Sequence, residues 1–267
     1  MENSDWKRLL AEPGPDGHIV QLYQDADFYS EAISHFAAEG LVRGESIILV
    51  ATQPNWVNIS GRLKSKGFDI PALFDRGQLT LLDATETLPK FMASGMPDGD
   101  IFKPLARQTI EKARRGGMFP RVRWWGEMVN VLYVDGNGKG STKLEEYFDE
   151  IAHEETISIF CSFLMDRYDP CIYDDAFGNI CRTHGHVIPT HDYSSHRHAV
   201  NAAIADVIGP IEGRLLRSIV SWKGSASGMP SSQSMLLWVK EARPEHFREV
   251  LERTKHYDHA HPGGAPL

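Results

Sequence analysis

Ser46-Ile47-Ile48-Leu49-Val50-Ala51 is the stretch of sequence that decides the fold. A strand whose consecutive residues are apolar is buried on both faces, which is typical of parallel sheets covered by helices. Gly44 marks the turn before this run, and an amphipathic helical pattern follows it over about residues 55–66. The same order, a short apolar strand and then a helix, recurs on either side. We therefore predict an α/β fold with a mainly parallel sheet and helices on both faces.

The chain divides into three segments by its patterning. Residues 1–16 are polar and contain Pro13-Gly14-Pro15, which predicts a flexible leader. Residues 17–193 carry the alternating strand and helix pattern of an α/β domain. In residues 194–267 the pattern changes and an acidic excess gives way to a small basic one. This smaller C-terminal appendage is predicted to be mostly helical or mixed, and to serve as a transmitter or dimerisation segment.

The apolar positions of the appendage allow two interpretations. They form either a self-complementary surface for a homodimer or a plain core within one chain. The positions are Val200, Ile204, Val207, Ile208, Leu215, Leu216 and Ile219.

Composition excludes some classes of function. The 267 residues carry a net charge of −8, which argues against a large nucleic-acid interface. No apolar run approaches the roughly 20 residues that a membrane-spanning helix needs. The first residues lack the basic and apolar regions of a signal peptide, so we expect a cytoplasmic protein that binds neither nucleic acid nor a membrane.

The turn after the first strand lacks the residues of a phosphate-binding loop. It reads Leu22-Tyr23-Gln24-Asp25-Ala26-Asp27-Phe28-Tyr29. Binding a nucleotide phosphate needs glycines, whose backbone N–H groups approach the anion, and a lysine that neutralises it. The stretch from Gly136 to Thr142 contains Lys139 but has the wrong spacing for such a loop. Mg-ATP is therefore an improbable ligand, and no recognisable catalytic motif occurs elsewhere.

Ligands of parallel sheets gather beyond the carboxyl ends of the strands. Trp125 and Glu127 lie at such an end, and aromatic and polar side chains together suit a small-molecule site. The alternative is that Glu127 caps a helix or pairs with Arg121 or Arg123, and that His18 and Tyr23 only hold neighbouring loops. The predicted ligand-binding residues are His18, Tyr23, Asp25, Asp83, Trp125 and Glu127.

A metal site is a further hypothesis. Cys181, His184 and His186 form a Cys-x-x-His-x-His pattern, whose side chains can bind zinc or a similar cation. The paired Cys-x-x-Cys of a zinc knuckle is missing, and the alternative is a histidine-rich surface loop. The three cysteines fit reduced thiols, and Cys161, inside an apolar strand, is expected to be buried and inert.

An ordered set of motifs over about residues 17–193 resembles the MEDS family, a sensory domain named after methanogen and methylotroph regulators. The matching stretches are His18–Tyr23, Glu39–Glu45, Gly77–Ala84, Arg121-Val122-Arg123, Gly126–Val129, Leu144-Glu145-Glu146, Phe160-Cys161 and Ile180-Cys181 with His184. The resemblance implies a degenerate RecA/KaiC-like fold without the Walker A loop. It also implies a module that senses hydrocarbon-type small molecules, although no DNA-binding or kinase motif follows in this chain.

Three hypotheses of function follow. The first is a non-catalytic sensory module that binds a small, weakly charged ligand at the degenerate nucleotide site and relays it to the C-terminal segment or to a signalling partner. The second is a residual ATPase or phosphotransfer enzyme. The third is a metal- or redox-responsive regulator that uses Cys181 and the histidines from His184 to His198.

Overall fold

A six-stranded parallel sheet is the centre of the structure. The computed structural model describes residues 5–15, 17–173, 178, 180, 181, 183–190, 192–224 and 229–260. The strands lie in the order β3-β2-β6-β7-β1-β8, and every neighbouring pair is parallel. Their bounds are β1 His18–Tyr23, β2 Ser46–Ala51, β3 Leu79–Asp83, β6 Val122–Gly126, β7 Ser158–Leu164 and β8 His186–Ile188, and a separate hairpin pairs β4 Met92–Ala93 with β5 Met96–Pro97. The predicted parallel α/β sheet is therefore confirmed.

Helices connect the strands and cover both faces of the sheet. In the α/β part they are α1 Asp5–Ala11, α2 Ala26–Val42, α3 Gln53–Ser65, α4 Ile70–Asp75, α5 Ala84–Thr87, α6 Gly99–Arg114, α7 Met128–Val134 and α8 Gly138–Glu155. In the C-terminal part they are α9 Tyr193–Val207, α10 Pro210–Gly224, α11 Ser231–Ala242 and α12 Pro244–Ala260. Among the described residues, no helix is long and apolar enough to cross a bilayer.

Alternate residues of each strand enter two separate cores, because side chains of a strand point to opposite faces. Ile48 and Val50 pack with α6, α7 and α8, whereas Ile47 and Leu49 pack with α1 to α4. All six residues of β2 are buried, as its continuous apolar sequence predicts. The same alternation separates Trp124 from Trp125, and both indoles are buried, one in each core.

The N-terminal residues correct the predicted flexible leader. Residues 5–11 form α1, and Trp6 and Leu10 are buried against α2. The buried Arg123 of β6 holds this helix, donating to the carbonyls of Leu10 at 2.7 Å and Ala11 at 2.9 Å. A Cβ at Gly40 would lie 2.7 Å from Cδ of Arg123, so only glycine leaves room for the guanidinium. A long-range contact, which local sequence does not reveal, therefore orders this segment.

The C-terminal helices α9 to α12 form a core of their own, which also includes Ile172 and Tyr173. Val200, Ile204 and Leu216 are buried in this core, so the interpretation as a dimer surface is wrong for these three positions. Leu215 and Ile219 are exposed on α10, together with Ile211. The segment boundary at residue 193 and the homodimer itself stay predictions.

The connection between β7 and β8 is partly helical where the structure describes it. The structure has a 3-10 turn at Pro170–Tyr173, and positions 178, 180, 181 and 183 are helical. Residues 174–177, 179 and 182 lie outside the described residues. This connection brings His184 back beneath the amino end of β1, where Gly185 N donates to the carbonyl of His18 at 3.0 Å.

Candidate functional site

Glu127 lies just after β6, at the carboxyl end of the sheet, and its carboxylate is the centre of a buried polar cluster. Oε1 accepts the backbone N–H of Thr52, the residue that precedes α3. Oε2 accepts from Asn55 Nδ2 at 2.5 Å and from the hydroxyl of Tyr29 at 3.2 Å. All three donors are uncharged. Glu127 therefore ties the start of α3 to β6 and brings an acidic group to the ligand end of the sheet.

Two tyrosines form the aromatic wall of this cluster. The rings of Tyr23, at the end of β1, and Tyr29, in the first turns of α2, stack with 4.2 Å between their centroids. Burial, and then the charge of Glu127, raises the pKa of both phenols well above the usual range. Both therefore stay protonated at neutral pH. They are available as hydrogen-bond donors or acceptors but not as bases.

Asn130 links the cluster to the exit of β7. Its amide Nδ2 donates to the hydroxyl of Tyr23 at 3.4 Å, and its Oδ1 accepts the backbone N–H of Leu164 at 2.8 Å. Met165 N donates to the carbonyl of Tyr23 at 3.0 Å. The last residue of β7 and the next residue are thus both bonded to groups of the cluster.

The chain after Leu164 runs directly into contacts with the C-terminal helices. Arg167 forms a two-pronged ion pair with Asp192, next to α9. The hydroxyl of Tyr168 donates to Oδ2 of Asp258 on α12 at 2.8 Å, and Nδ1 of His196 on α9 lies 2.7 Å from the same oxygen. A short segment therefore joins the cluster around Glu127 to two helices of the C-terminal core.

Three predicted ligand residues have structural partners, and their role in ligand binding stays a prediction. Asp25 caps α2 by accepting from Phe28 N at 2.7 Å, and Asp83 caps α5 by accepting from Thr85 N at 2.8 Å and Glu86 N at 3.0 Å. The hydroxyl and N–H donors of this turn lower the pKa of Asp83, which is the usual effect of bonding to a carboxylate. Trp125 lies in the core, with Nε1 3.2 Å from Ser162 Oγ, and reaches the cluster only through the edge of the Tyr29 ring.

The prediction that His18 lies at the ligand end is wrong. His18 is the first residue of β1 and pairs with Ile159, whereas Tyr23 and Glu127 lie at the opposite ends of their strands. His18 instead belongs to a second buried cluster at the amino end of the sheet. Its four members are His18, Glu145 of α8, Cys161 of β7 and His184.

The second cluster is dense and closed. Its four ligand atoms lie within 4.8 Å of one another, and all four residues are buried. Burial alone would lower the pKa of His18, but hydrogen bonds and the charges of Asp149 and Glu145 raise it to about 9. Burial would raise the pKa of Glu145, but the two histidines lower it to about 2. Burial and then the charge of Glu145 raise the pKa of the Cys161 thiol.

Only one of the three metal candidates lies in this cluster. His184 is a member, whereas Cys181 is buried outside it and His186 is exposed on β8. The redox or metal hypothesis also included the histidines up to His198. His196 contacts Asp258 and His198 contacts Ser194, while position 191 lies outside the described residues. Cys161 is buried, as expected, and its sulfur lies 3.4 Å from Glu145 Oε2 and 3.6 Å from His18 Nε2.

Sequence reasoning missed Tyr29, Asn55 and Asn130 at one end of the sheet, and Glu145 at the other. Glu145 carried a signal, since a charged residue stands in α8 among the buried positions Leu144, Phe148 and Ala152. An acidic residue on the buried face of a helix needs a partner. The polar residues of the first cluster gave no comparable signal, because asparagine is common at helix starts and tyrosine occurs at both buried and exposed positions.

Comparison with known proteins identifies the family of the α/β part of the chain. Residues 17–184, more than half of the chain, match the family model described as MEDS: MEthanogen/methylotroph, DcmR Sensory domain. The matched range begins one residue before His18 and ends at His184. No protein with a curated description matches the chain. The extent of the family match shows that the chain belongs to the MEDS family of sensory domains.

Proposed function

We propose that this chain is a non-catalytic sensory module that binds a small, weakly charged molecule beside Tyr23 and Glu127. Binding there changes the position of residues 164–168, and these residues pass the change to the C-terminal helices. The observation that carries the proposal is the hydrogen bond that Asn130 accepts from the backbone N–H of Leu164. This bond joins the buried polar cluster to the start of that segment. Membership of a sensory family supports the general role.

The chemistry of the cluster limits the ligand. A buried carboxylate repels a second anion, and the donors around Glu127 are neutral. A triphosphate would meet Glu127 without the lysine and backbone cradle that bind such a group. A small neutral molecule with one hydrogen-bonding group is better suited, since the tyrosine rings offer apolar surface and the hydroxyl of Tyr29 and the amide of Asn55 offer polar contacts.

Entry of a ligand requires the start of α3 to move. Tyr29 and Glu127 are buried, whereas Asn55 is half-buried at the surface of the cluster. A ligand that replaces Asn55 as the partner of Glu127 would release the first turn of α3. The same event would alter the packing of Tyr23 and, through Asn130, the position of Leu164.

Residues 164–168 contact the C-terminal helices through a hydrogen-bonded group at Asp258. Tyr168 and His196 share Oδ2 of Asp258, so a shift of the segment changes a buried hydrogen-bonded group between α9 and α12. Such a group has one satisfied arrangement and is costly in any other. We propose that this group passes the change to the helical core or to a protein partner.

Ligand-observed NMR with a panel of short alcohols, ketones and amides tests the binding step, with Mg-ATP as a separate sample. We expect saturation transfer from at least one neutral compound, loss of that signal in Tyr29→Phe or Glu127→Gln, and retention in the capping variant Asp83→Asn. Absence of binding across the panel would count against the proposed site.

A phosphate-release assay tests the ATPase alternative. We expect no turnover above the buffer control. Turnover that is lost in Glu127→Gln and kept in Asp83→Asn would contradict the non-catalytic proposal and support the enzyme.

A further inference from the structure

Four elements of the fold converge at the amino end of the sheet. His18 begins β1, Cys161 lies on the adjacent β7, Glu145 lies on α8, and His184 ends the connection that leads to β8. His18 and Cys161 point to the same face, because Val20 pairs with Cys161 and His18 is two residues from Val20. The α8 helix covers that face and directs Glu145 toward both strands.

Four of the six distances between their ligand atoms are close to the edges of one coordination tetrahedron, and all six are within 4.8 Å. Glu145 Oε2 lies 3.2 Å from Nε2 of His18 and 3.2 Å from Nε2 of His184. Cys161 Sγ lies 3.4 Å from the same oxygen and 3.6 Å from Nε2 of His18. Zinc bonds of about 2.0–2.3 Å in tetrahedral geometry place neighbouring ligand atoms roughly 3.3–3.7 Å apart.

The backbone selects the tautomer of both histidines. Nδ1 of His18 lies 3.0 Å from the carbonyl of Thr183, and Nδ1 of His184 lies 2.6 Å from the carbonyl of Ile180. A carbonyl oxygen only accepts, so each Nδ1 carries the proton. Nε2 of His184 then presents a lone pair to the cluster, and Nε2 of His18 does so once a metal displaces its proton. An outer bond from Nδ1 to a carbonyl is the usual second partner of a metal-bound histidine.

Two buried atoms of the cluster have no hydrogen-bond partner among the described residues. They are Oε1 of Glu145 and Nε2 of His184. Although Nε2 of His184 lies 3.2 Å from Glu145 Oε2, both atoms offer lone pairs when the imidazole is neutral. A buried carboxylate and an unpaired buried nitrogen are both costly. A cation bound to Oε2 of Glu145 and Nε2 of His184 gives the nitrogen a partner and compensates the charge that Oε1 shares.

We propose that His18, Glu145, Cys161 and His184 bind one divalent transition-metal ion of the zinc class. Two imidazoles, a thiolate and a carboxylate are ligands that zinc prefers, whereas calcium and magnesium take oxygen ligands. Binding releases two protons to solvent, the thiol proton of Cys161 and the Nε2 proton that His18 carries because its pKa is raised to about 9. It leaves a thiolate–metal bond, with no change in oxidation state. All four ligands come from the protein and are buried, so no position stays open for substrate water and the ion cross-links β1, β7, α8 and residue 184.

This site does not depend on the proposed ligand site. The two lie at opposite ends of β1, and they share no residue. Either can fail in experiment without affecting the other.

Metal analysis of the full-length protein tests the proposal. After purification without chelator, elemental analysis is expected to find about one zinc ion per chain, which is the content of a single closed site. Cobalt substitution is expected to give the thiolate-to-cobalt charge-transfer band and the intense visible bands of a tetrahedral thiolate site. X-ray absorption of the zinc protein is expected to require one sulfur neighbour with nitrogen and oxygen neighbours. These readings use the unaltered protein and do not depend on the folding of any variant.

Substitutions distinguish the residues that bind the metal from nearby residues that do not. Cys161→Ser and Glu145→Gln are expected to lose stoichiometric metal and, for Cys161→Ser, the charge-transfer band. Asp149→Asn removes an outer partner, since Asp149 Oδ1 lies 3.3 Å from Nδ1 of His18. The Asp149→Asn variant is expected to bind zinc about 10- to 100-fold more weakly in chelator competition and to keep the wild-type cobalt spectrum. Cys181→Ser and His186→Ala are the matched controls, a buried cysteine and an exposed histidine outside the cluster.

Two results would overturn the site. One is wild-type protein that carries no metal above background and, after incubation with zinc or cobalt, shows neither bound ion nor charge-transfer band. The other is equal loss of metal in Cys181→Ser and Cys161→Ser, which would assign binding to different residues.

Discussion

The side-chain Oδ1 of Asn130 accepts the backbone N–H of Leu164 at 2.8 Å, and this bond connects α7 to the end of β7. The same side chain donates to the hydroxyl of Tyr23. Because both ends of the amide are used, Asn130 holds the exit of the central sheet in one position relative to the polar cluster. The chain then crosses to the C-terminal helices within a few residues.

Replacement of Asn130 by leucine tests this connection. The substitution leaves the part-buried N–H of Leu164 without its acceptor, so we expect a loss of about 1 kcal/mol in the free energy of unfolding. Urea denaturation measures it, and hydrogen exchange is expected to rise at residues 164–168 before the rest of the sheet. Asn201→Leu is the control, because Asn201 is only half-buried on α9, and we expect a change within about 0.5 kcal/mol. Equal effects of the two variants would contradict a specific role for Asn130.

Glu127→Gln tests whether the carboxylate holds the start of α3. An amide offers one acceptor oxygen, whereas Glu127 accepts from Thr52, Asn55 and Tyr29. At least one buried donor then loses its partner, and we expect about 2 kcal/mol of destabilisation in guanidinium unfolding. The exposed Glu31, which pairs with Lys7 at the surface, provides the control Glu31→Gln, expected to cost below about 1 kcal/mol. A stable Glu127→Gln protein would show that the cluster tolerates rearrangement.

Arg123→Lys tests how the N-terminal helix is held. The guanidinium of Arg123 bonds Glu45 and the carbonyls of Leu10, Ala11 and Phe36, a set that a lysine ammonium does not span. We expect a loss of about 3–5 kcal/mol, as for a broken buried ion pair, and early proteolysis within residues 5–15. Arg121→Lys is the matched control, since the Arg121 side chain is 71% exposed. Resistance to protease equal to wild type would remove the proposed anchoring role.

The pH dependence of stability reports on the junction of α9 and α12. Burial lowers the pKa of His196 despite its bond to Asp258, and Arg167 adds to the decrease. Because the folded pKa lies below the unfolded value of about 6.5, the unfolded chain binds more protons in that range. Neutral His196 therefore contributes fully to folding stability above about pH 6.5. This contribution declines as the pH falls toward the pKa of His196 in the folded protein.

Protonation of Asp258 lowers the stability of the fold further, at lower pH. Burial would raise its pKa, but hydrogen bonds from His196 and Tyr168 and the charge of Arg167 hold it below the usual value. Its contribution is present above the unfolded pKa of about 3.9 and is lost below it. Urea midpoints are measured from pH 8 to pH 5, and on acidification the wild-type midpoint is expected to fall relative to that of His196→Gln. His18, whose raised pKa of about 9 favours folding at lower pH, contributes equally to both proteins. His198→Gln, at an exposed histidine of the same helix, is expected to keep the wild-type slope.

Regular patterns of the sequence predicted much of the fold. The uncharged run from Ser46 to Ala51 predicted a strand buried on both faces, and the structure confirms it with its neighbours β3 and β6 parallel on either side. Hydrophobic periodicity works here because each strand and helix must bury a face wherever it lies. Residues 5–11 escaped prediction, since α1 depends on Arg123, far away in the chain.

The candidate sites were predicted less completely. Tyr23 and Glu127 were expected at the carboxyl end of the sheet and lie there, but Asp25 and Asp83 serve as helix caps. The prediction of metal ligands followed residues close in sequence, Cys181, His184 and His186. The buried cluster keeps only His184 and takes its other members from β1, α8 and β7.

The sequence by itself determined the α/β class, the buried parallel strands and the acidic, aromatic character of the first turn, because these follow from local composition and period. Only the tertiary structure decided which polar groups meet. Strand order and the return of the chain to β8 bring together His18, Cys161 and His184 at one end of the sheet, and Tyr23, Glu127 and Asn130 at the other. Contacts between residues more than a hundred positions apart depend on the order and register of the strands, which no local pattern encodes.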